Sequence, residues 1–261
     1  MSRRRRVALL AGLIALVLAV AGVLVLQRRG GVDQALPGPV LLVPGYGGDR
    51  ASLEPLARAL RGAGRQATVV DTGDGTGDLR TQAEALARAA DAALAAGAPS
   101  VDVVGYSAGG VVARVWVADL GGDDEARRVV TLGSPHHGTT VASLGAVLAS
   151  GACPTACRQL AQGSELLDGL PDAPSGPRWV SLWTADDETV TPPDSAVLAG
   201  AVDVRLQDVC AGVRVGHGAL PSDPLVAGLV LRSLGVAGLD APPPAADCGA
   251  LRSSGDAALS S

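Results

Sequence analysis

VDVVGYSAGGVVARVWVADL, residues 101–120, decides the fold. Val101 to Ser107, led by Val101, Val103 and Val104, reads as a strand, and Ala108 to Leu120 reads as a helix. Between them lies Gly105-Tyr106-Ser107-Ala108-Gly109, a G-x-S-x-G pattern. In a chain with 35 glycines the pentapeptide alone is weak. Its setting is what carries weight, because a strand–turn–helix is what a nucleophile elbow requires. The turn is sharp and strained, so Gly105 and Gly109 are expected where a Cβ would not fit. Ser107 is left at the tip, beside a helix N-terminus that favours negative charge. The alternative is an ordinary strand-to-helix turn with an incidental serine.

Outward from this stretch, apolar runs alternate with amphipathic segments. Strands are predicted at 39–46, 66–71, 127–133, 178–183 and 202–206, and helices at 51–61, 78–96 and 223–235. On the longest helix Leu79, Ala83, Leu86, Ala90 and Leu94 share a face. Strands alternating with helices predict an α/β fold, a mostly parallel sheet with helices on both faces. The stretch 138–177 interrupts the alternation and is a candidate lid or small cap. The expected catalytic domain is 39–237, preceded by a linker at 27–38 and followed by a flexible Pro/Ala/Ser-rich tail at 238–261.

The chain of 261 residues is 48% hydrophobic and 18% charged, which excludes disorder and is long enough for a real core. Phe is absent and aromatic residues make up 2%, so Val, Leu and Ala must build that core. All basic residues are Arg and the net charge is −5; no long basic stripe follows the N-terminus, so no nucleic-acid partner is expected. At the N-terminus Arg3, Arg4, Arg5 and Arg6 form a basic segment (1–6) before the uncharged run 7–26, with Arg28 and Arg29 after it. As a helix that run would span roughly 30 Å, a bilayer core. It is therefore expected to be a single-pass transmembrane signal anchor in the cytoplasmic membrane, oriented with the catalytic domain outside. The alternative is a signal peptide cleaved near Ala21 and a secreted product. Four cysteines, Cys153, Cys157, Cys210 and Cys248, fit export and disulfide bonding. Cys153 and Cys157 can close a small loop, leaving Cys210 for Cys248, but three connectivities remain open. A metal site is the weaker reading, since no Cys-x-x-Cys pair occurs.

The Gly-rich turn Pro44-Gly45-Tyr46-Gly47-Gly48 follows the first strand. Its backbone N–H at Tyr46, with that of Ala108 after the nucleophile, would form an oxyanion hole. Neither a G-x-G-x-x-G nor a P-loop pattern supports a phosphate-binding alternative. On such a fold the chain order is serine, acid, histidine. Of the three histidines, His136 and His137 precede the acid candidates, so His217 is the expected base. The acid is expected in Thr184-Ala185-Asp186-Asp187-Glu188-Thr189-Val190, with Asp187 preferred over Asp186 and the remaining acids read as a solvated acidic turn.

The PGYGG loop, the GYSAGG elbow, TLGSPHHGT, TADDETV and the GH of VRVGHGALP together resemble bacterial lipases and esterases of the α/β-hydrolase superfamily, over about residues 39–235. The resemblance implies a structural role for His136 and His137, and it favours Asp187, two residues before the Thr-Val pair. It departs at Pro44-Gly45, where many of these lipases carry His-Gly; the backbone donor survives this change. The implied activity is hydrolysis of carboxylic acyl or lipid esters by a Ser107-His217-Asp187 triad, without cofactor or metal, by a monomer. An acyltransferase or thioesterase, an amidase, or an inactive membrane-anchored binding protein are the alternatives.

Overall fold

The computed structural model describes residues 31–140 and 153–261. Six strands form one sheet: β1 (Val40–Val43), β2 (Ala67–Val69), β3 (Val101–Tyr106), β4 (Ala126–Leu132), β5 (Arg178–Trp183) and β6 (Val202–Arg205). Their order is β2-β1-β3-β4-β5-β6 and every neighbouring pair is parallel. The longer helices are α1 (Glu54–Gly62), α2 (Leu79–Ala95), α3 (Ala108–Asp119), α7 (Pro224–Leu234) and α8 (Cys248–Leu259). Shorter ones are α4 (Thr155–Gln159), α5 (Glu165–Gly169) and α6 (Leu206–Val209).

The apolar runs are continuous because both faces of the sheet are covered. Neighbouring residues on a strand point to opposite faces. Val103 and Val129 accordingly pack with Leu86, Val111 and Trp116 of α2 and α3. Val104 and Val130 pack instead with Leu56, Leu60, Leu225 and Leu229 of α1 and α7. Helix starts are chemically marked. The Asp78 carboxylate accepts the Arg80 N–H, and Asp223 accepts those of Leu225 and Val226, with Pro224 opening α7.

The strand order reverses between β1 and β3. Chains leaving their carboxyl ends diverge there and open a crevice, the place where ligands bind in open α/β sheets. The Pro44–Gly48 loop follows β1 and Ser107 follows β3, so both stand at this point.

Two expectations are corrected. Residues 238–261 do not form a flexible tail: α8 packs on α7, with Leu251 buried, and Cys248 is bonded to Cys210. Close helix packing is possible because Gly228 and Gly255 lack side chains; a Cβ on Gly255 would lie 1.8 Å from the Pro224 carbonyl oxygen. The fold class is also corrected by removal of the transmembrane helix, since no helix among the described residues is long and apolar enough to cross a membrane. Residues 7–26, on which that expectation fell, lie outside the described residues.

Of the cap candidate 138–177, residues 141–152 likewise lie outside the described residues. The portion from Cys153 onward is built into the body. Ala156, Leu160, Leu166, Leu167 and Leu170 join the core beside α2 and α3. Arg114 of α3 donates to the carbonyls of His136, Leu170 and Pro171, which ties this segment to the helix behind the elbow.

Candidate active site

Ser107 has φ 53° and ψ −124°, and among the described residues it alone is a non-glycine with positive φ. Such a conformation persists only where the surroundings enforce it, and it is the signature of an elbow. The enforcement is visible at Gly105 and Gly109. A Cβ on Gly105 would lie 2.5 Å from Gly110 Cα, and one on Gly109 would lie 2.2 Å from the Val43 carbonyl oxygen. Strand β3, helix α3 and strand β1 therefore meet here with no room for side chains. The Ser107 N–H is taken up by the Leu132 carbonyl at 2.8 Å.

His217 opens a short 3₁₀ turn (His217–Ser222) and is buried. Its Nδ1 lies 2.8 Å from Asp187 Oδ2, and its Nε2 lies 3.0 Å from Ser107 Oγ. With Nδ1–H donating to the carboxylate, Nε2 is left as acceptor for the serine hydroxyl. Asp187 is itself oriented, because its Oδ1 accepts the N–H groups of Thr189 and Val190 at 2.9 and 2.7 Å. Serine, imidazole and carboxylate thus form one unbroken hydrogen-bonded line.

The runner-up acid and the other two histidines stand elsewhere. Asp186 pairs with Arg214 at 2.7 Å and accepts from Gln207. His136 is fully buried, with its Nε2 3.1 Å from Thr131 Oγ1, and burial pushes its imidazole down to about 3, with Arg114 and His137 adding to the effect. It is a neutral structural histidine. His137 is exposed, 3.8 Å from Asp172.

Ala108 is the first residue of α3, so its N–H has no acceptor within the helix. Gly45 backs onto Ser107: a Cβ there would come to 3.0 Å from Ser107 Cβ. Tyr46 follows it and is 46% exposed. The loop is braced by Gly48 N–H to Gly45 O at 3.0 Å and by Gly47 N–H to Gly75 O at 3.4 Å. The Pro44-Gly45 departure leaves this backbone path intact.

Several residues around the site carry no motif. Tyr106 donates its hydroxyl to the His217 carbonyl at 3.2 Å, with ring centroids 5.2 Å apart. Burial, reinforced by Asp187 and Glu188, pushes that hydroxyl up to about 12, so it stays a donor. Glu188 accepts the His217 backbone N–H at 3.1 Å, and Thr184 donates to the Val215 carbonyl at 2.8 Å. The acids beside Asp187 are therefore not merely a solvated turn; each holds the segment that carries the histidine. The variable position of G-x-S-x-G was the available signal for Tyr106, but nothing in the linear pattern connects Glu188 with a backbone amide many residues later. The four cysteines form Cys153–Cys157 and Cys210–Cys248.

The family model described as Palmitoyl protein thioesterase matches residues 39–167, which run from the first strand through the elbow. No curated protein matches the chain. Among solved structures the chain is similar to lipase B of Aspergillus fumigatus, with TM-score 0.63 and 19% identity, over 88% of this chain and 63% of that one. It is similar to a lipase of Bacillus licheniformis in its mature form, with TM-score 0.63 and 19% identity, over 78% of this chain and 94% of that one. It is also similar to phospholipase PlaB of Legionella pneumophila, with TM-score 0.53 and 15% identity, over 85% and 64%. The chain thus spans less than two thirds of the Aspergillus enzyme's length. With its parallel sheet, its strained serine turn and these structural likenesses together, the chain has the α/β-hydrolase fold.

Proposed function

We propose that the protein is a serine hydrolase of acyl or lipid esters, with Ser107 as nucleophile, His217 as general base and Asp187 as its orienting acid. The observation that carries this is the hydrogen-bonded line from Ser107 Oγ through His217 to Asp187, mounted on an elbow strained at the serine alone. His217 Nε2 takes the serine proton as Oγ attacks the ester carbonyl. The developing oxyanion is held by the N–H groups of Tyr46 and Ala108, aided by the amino end of α3. His217 then gives its proton to the leaving alcohol, and the acyl-enzyme is released by water along the reverse path.

A thioester is a second reading, favoured by the family match over residues 39–167. The same machinery serves, and a thiolate leaves with less need of a proton. The paired cysteines support a working place outside the cytoplasm, where disulfides persist.

The test is hydrolysis of p-nitrophenyl esters from acetyl to palmitoyl, and of palmitoyl-coenzyme A, by the full chain and by Ser107→Ala. Hydrolysis lost in the variant, with covalent fluorophosphonate labelling lost too, is the expected result; the preferred substrate then separates esterase, lipase and thioesterase. A folded protein that neither hydrolyses these substrates nor takes the label would sink the reading.

A further inference from the structure

The catalytic reading accounts for the ring of His217 but not for its backbone, whose N–H and C=O each meet a side chain, the carbonyl also standing at the start of the 3₁₀ turn His217–Ser222. The N–H goes to Glu188 Oε2 at 3.1 Å, and the C=O receives the Tyr106 hydroxyl at 3.2 Å. We infer that Glu188 and Tyr106 are positioning residues that clamp the backbone of His217, so that its ring meets Ser107 and Asp187 together; this rests on the triad reading above.

The chemistry suits a clamp. His217 lies between a loop (211–216) and a 3₁₀ turn, so no strand or regular helix fixes its backbone. A buried imidazole that must accept from one side and donate to the other tolerates little rotation, and a loop residue achieves this only when its neighbours hold it. Glu188 follows Asp187 directly, so one loop grips the histidine twice, at ring and at amide. Tyr106 precedes Ser107 directly, so the elbow also grips it twice, at Nε2 and at the carbonyl. Displacing the acid loop or the elbow would move ring and backbone together and keep the line intact.

Gly216 belongs to the same device. Its backbone is ordinary, with φ −77°, so turn strain does not require glycine there. A Cβ on it would meet Glu188 Oε2 at 2.9 Å and Oε1 at 3.3 Å. Glycine at 216 leaves the carboxylate room at the amide of the next residue, and a methyl there would push the carboxylate aside. Glu188 is otherwise exposed, which leaves its departure or replacement inexpensive to the fold.

The experiment uses the full chain and reads kcat and KM on the best p-nitrophenyl ester, the rate of fluorophosphonate labelling at Ser107, and the melting temperature. Glu188→Ala should lower kcat and the labelling rate about tenfold, the worth of a hydrogen bond to a charged group, with KM and melting temperature little changed. Glu188→Gln, whose amide oxygen can still accept the N–H, should recover to within about threefold of wild type. Tyr106→Phe should lower kcat about threefold. Gly216→Ala should match Glu188→Ala and cost nothing further in its presence, since both remove the same contact. Unchanged kcat in Glu188→Ala, no recovery in Glu188→Gln, or additive losses with Gly216→Ala would each overturn the clamp. Should wild type take the label at Ser107 while the Glu188 variants behave alike, only the clamp falls. Should wild type take no label at all, the triad reading falls with it.

Discussion

Two buried carboxylates stand at opposite ends of the same sheet, and they are held in opposite ways. Asp102, near the amino end of β3, has no exposed surface and faces two guanidinium groups. Arg127 binds both its oxygens, at 3.0 and 2.6 Å, and Arg65 binds Oδ2 at 2.5 Å. Those arginines also donate to the carbonyls of Gln34, Gly38 and Leu234. Asp187, in the loop beyond the carboxyl end of β5, faces one imidazole and two backbone N–H groups. Arginine does not lose its proton in a protein, so the first cluster has one charge state and serves as a tether between strands and the end of α7. The imidazole instead has one nitrogen against Asp187 and the other against Ser107, so the second cluster can pass a proton along its line. The polarity of a parallel sheet separates the two tasks, because helix amino ends with their free N–H groups gather at the carboxyl ends of the strands.

This contrast breaks most sharply at Asp187. Asp187→Asn keeps size and burial but removes the charge that stabilises the imidazolium, and kcat should fall on the order of 10³- to 10⁴-fold with little change in melting temperature. A loss smaller than tenfold would mean that the carboxyl-end carboxylate is as structural as Asp102.

The reverse result is expected at the amino end. Arg127→Met leaves Asp102 buried with Arg65 as its single partner and should destabilise the fold by up to about 3 kcal/mol in urea unfolding, because the buried charge loses one of its two counter-ions and the bonds to both of its oxygens. Turnover per folded molecule should be unchanged well below the melting transition. A fall in kcat with stability intact would erase the division of labour between the two ends.

The cross-link that holds α8 lies outside both clusters. Replacing Cys210 and Cys248 by serine removes a bridge across 38 residues and should cost about 2–4 kcal/mol, read as a lower melting temperature with kcat retained below it. Equal melting temperatures with and without the bridge would show α8 held by packing alone.

The smallest expected effect concerns His136, a third buried ionisable group with no counter-ion. Its folded value of about 3 lies below the ordinary 6.5, so the unfolded chain binds more protons between these values. Its contribution to stability is therefore present above about pH 6.5 and lost as pH falls towards about 3. In thermal melts from pH 7.5 downward, the advantage of wild type over His136→Gln should shrink with acidity. A constant difference across that range would contradict the depressed value.

Much of this was legible in the linear chain. Local patterns are complete within a few residues, so β3, the elbow and α3 could be read from 101–120 alone; motif and order pointed to Ser107 and His217, and narrowed the acid to the 184–190 stretch with Asp187 preferred. The tail was misread because α8 is rich in Ala, Ser and Gly; its order comes from a partner helix and a cross-link, neither written in its own periodicity. Asp186 and Glu188 looked like a solvated turn because each is exposed or half-exposed, and only the return of the 213–217 segment supplies Arg214 and the His217 amide.

The sequence by itself determined what depends on neighbours along the chain: alternating strands and helices, the glycines that a strained serine turn demands, and the order of the serine, acid and histidine candidates. Tertiary structure alone decided what depends on groups far apart in the chain meeting in space: which acid of Asp186, Asp187 and Glu188 reaches the ring, and that Tyr106 and Glu188 hold the backbone behind it. It also set Asp102 against Arg65 and Arg127. Hydrogen bonds act over about 3 Å whatever the separation in sequence, so such partners exist only once the sheet has brought its loops together.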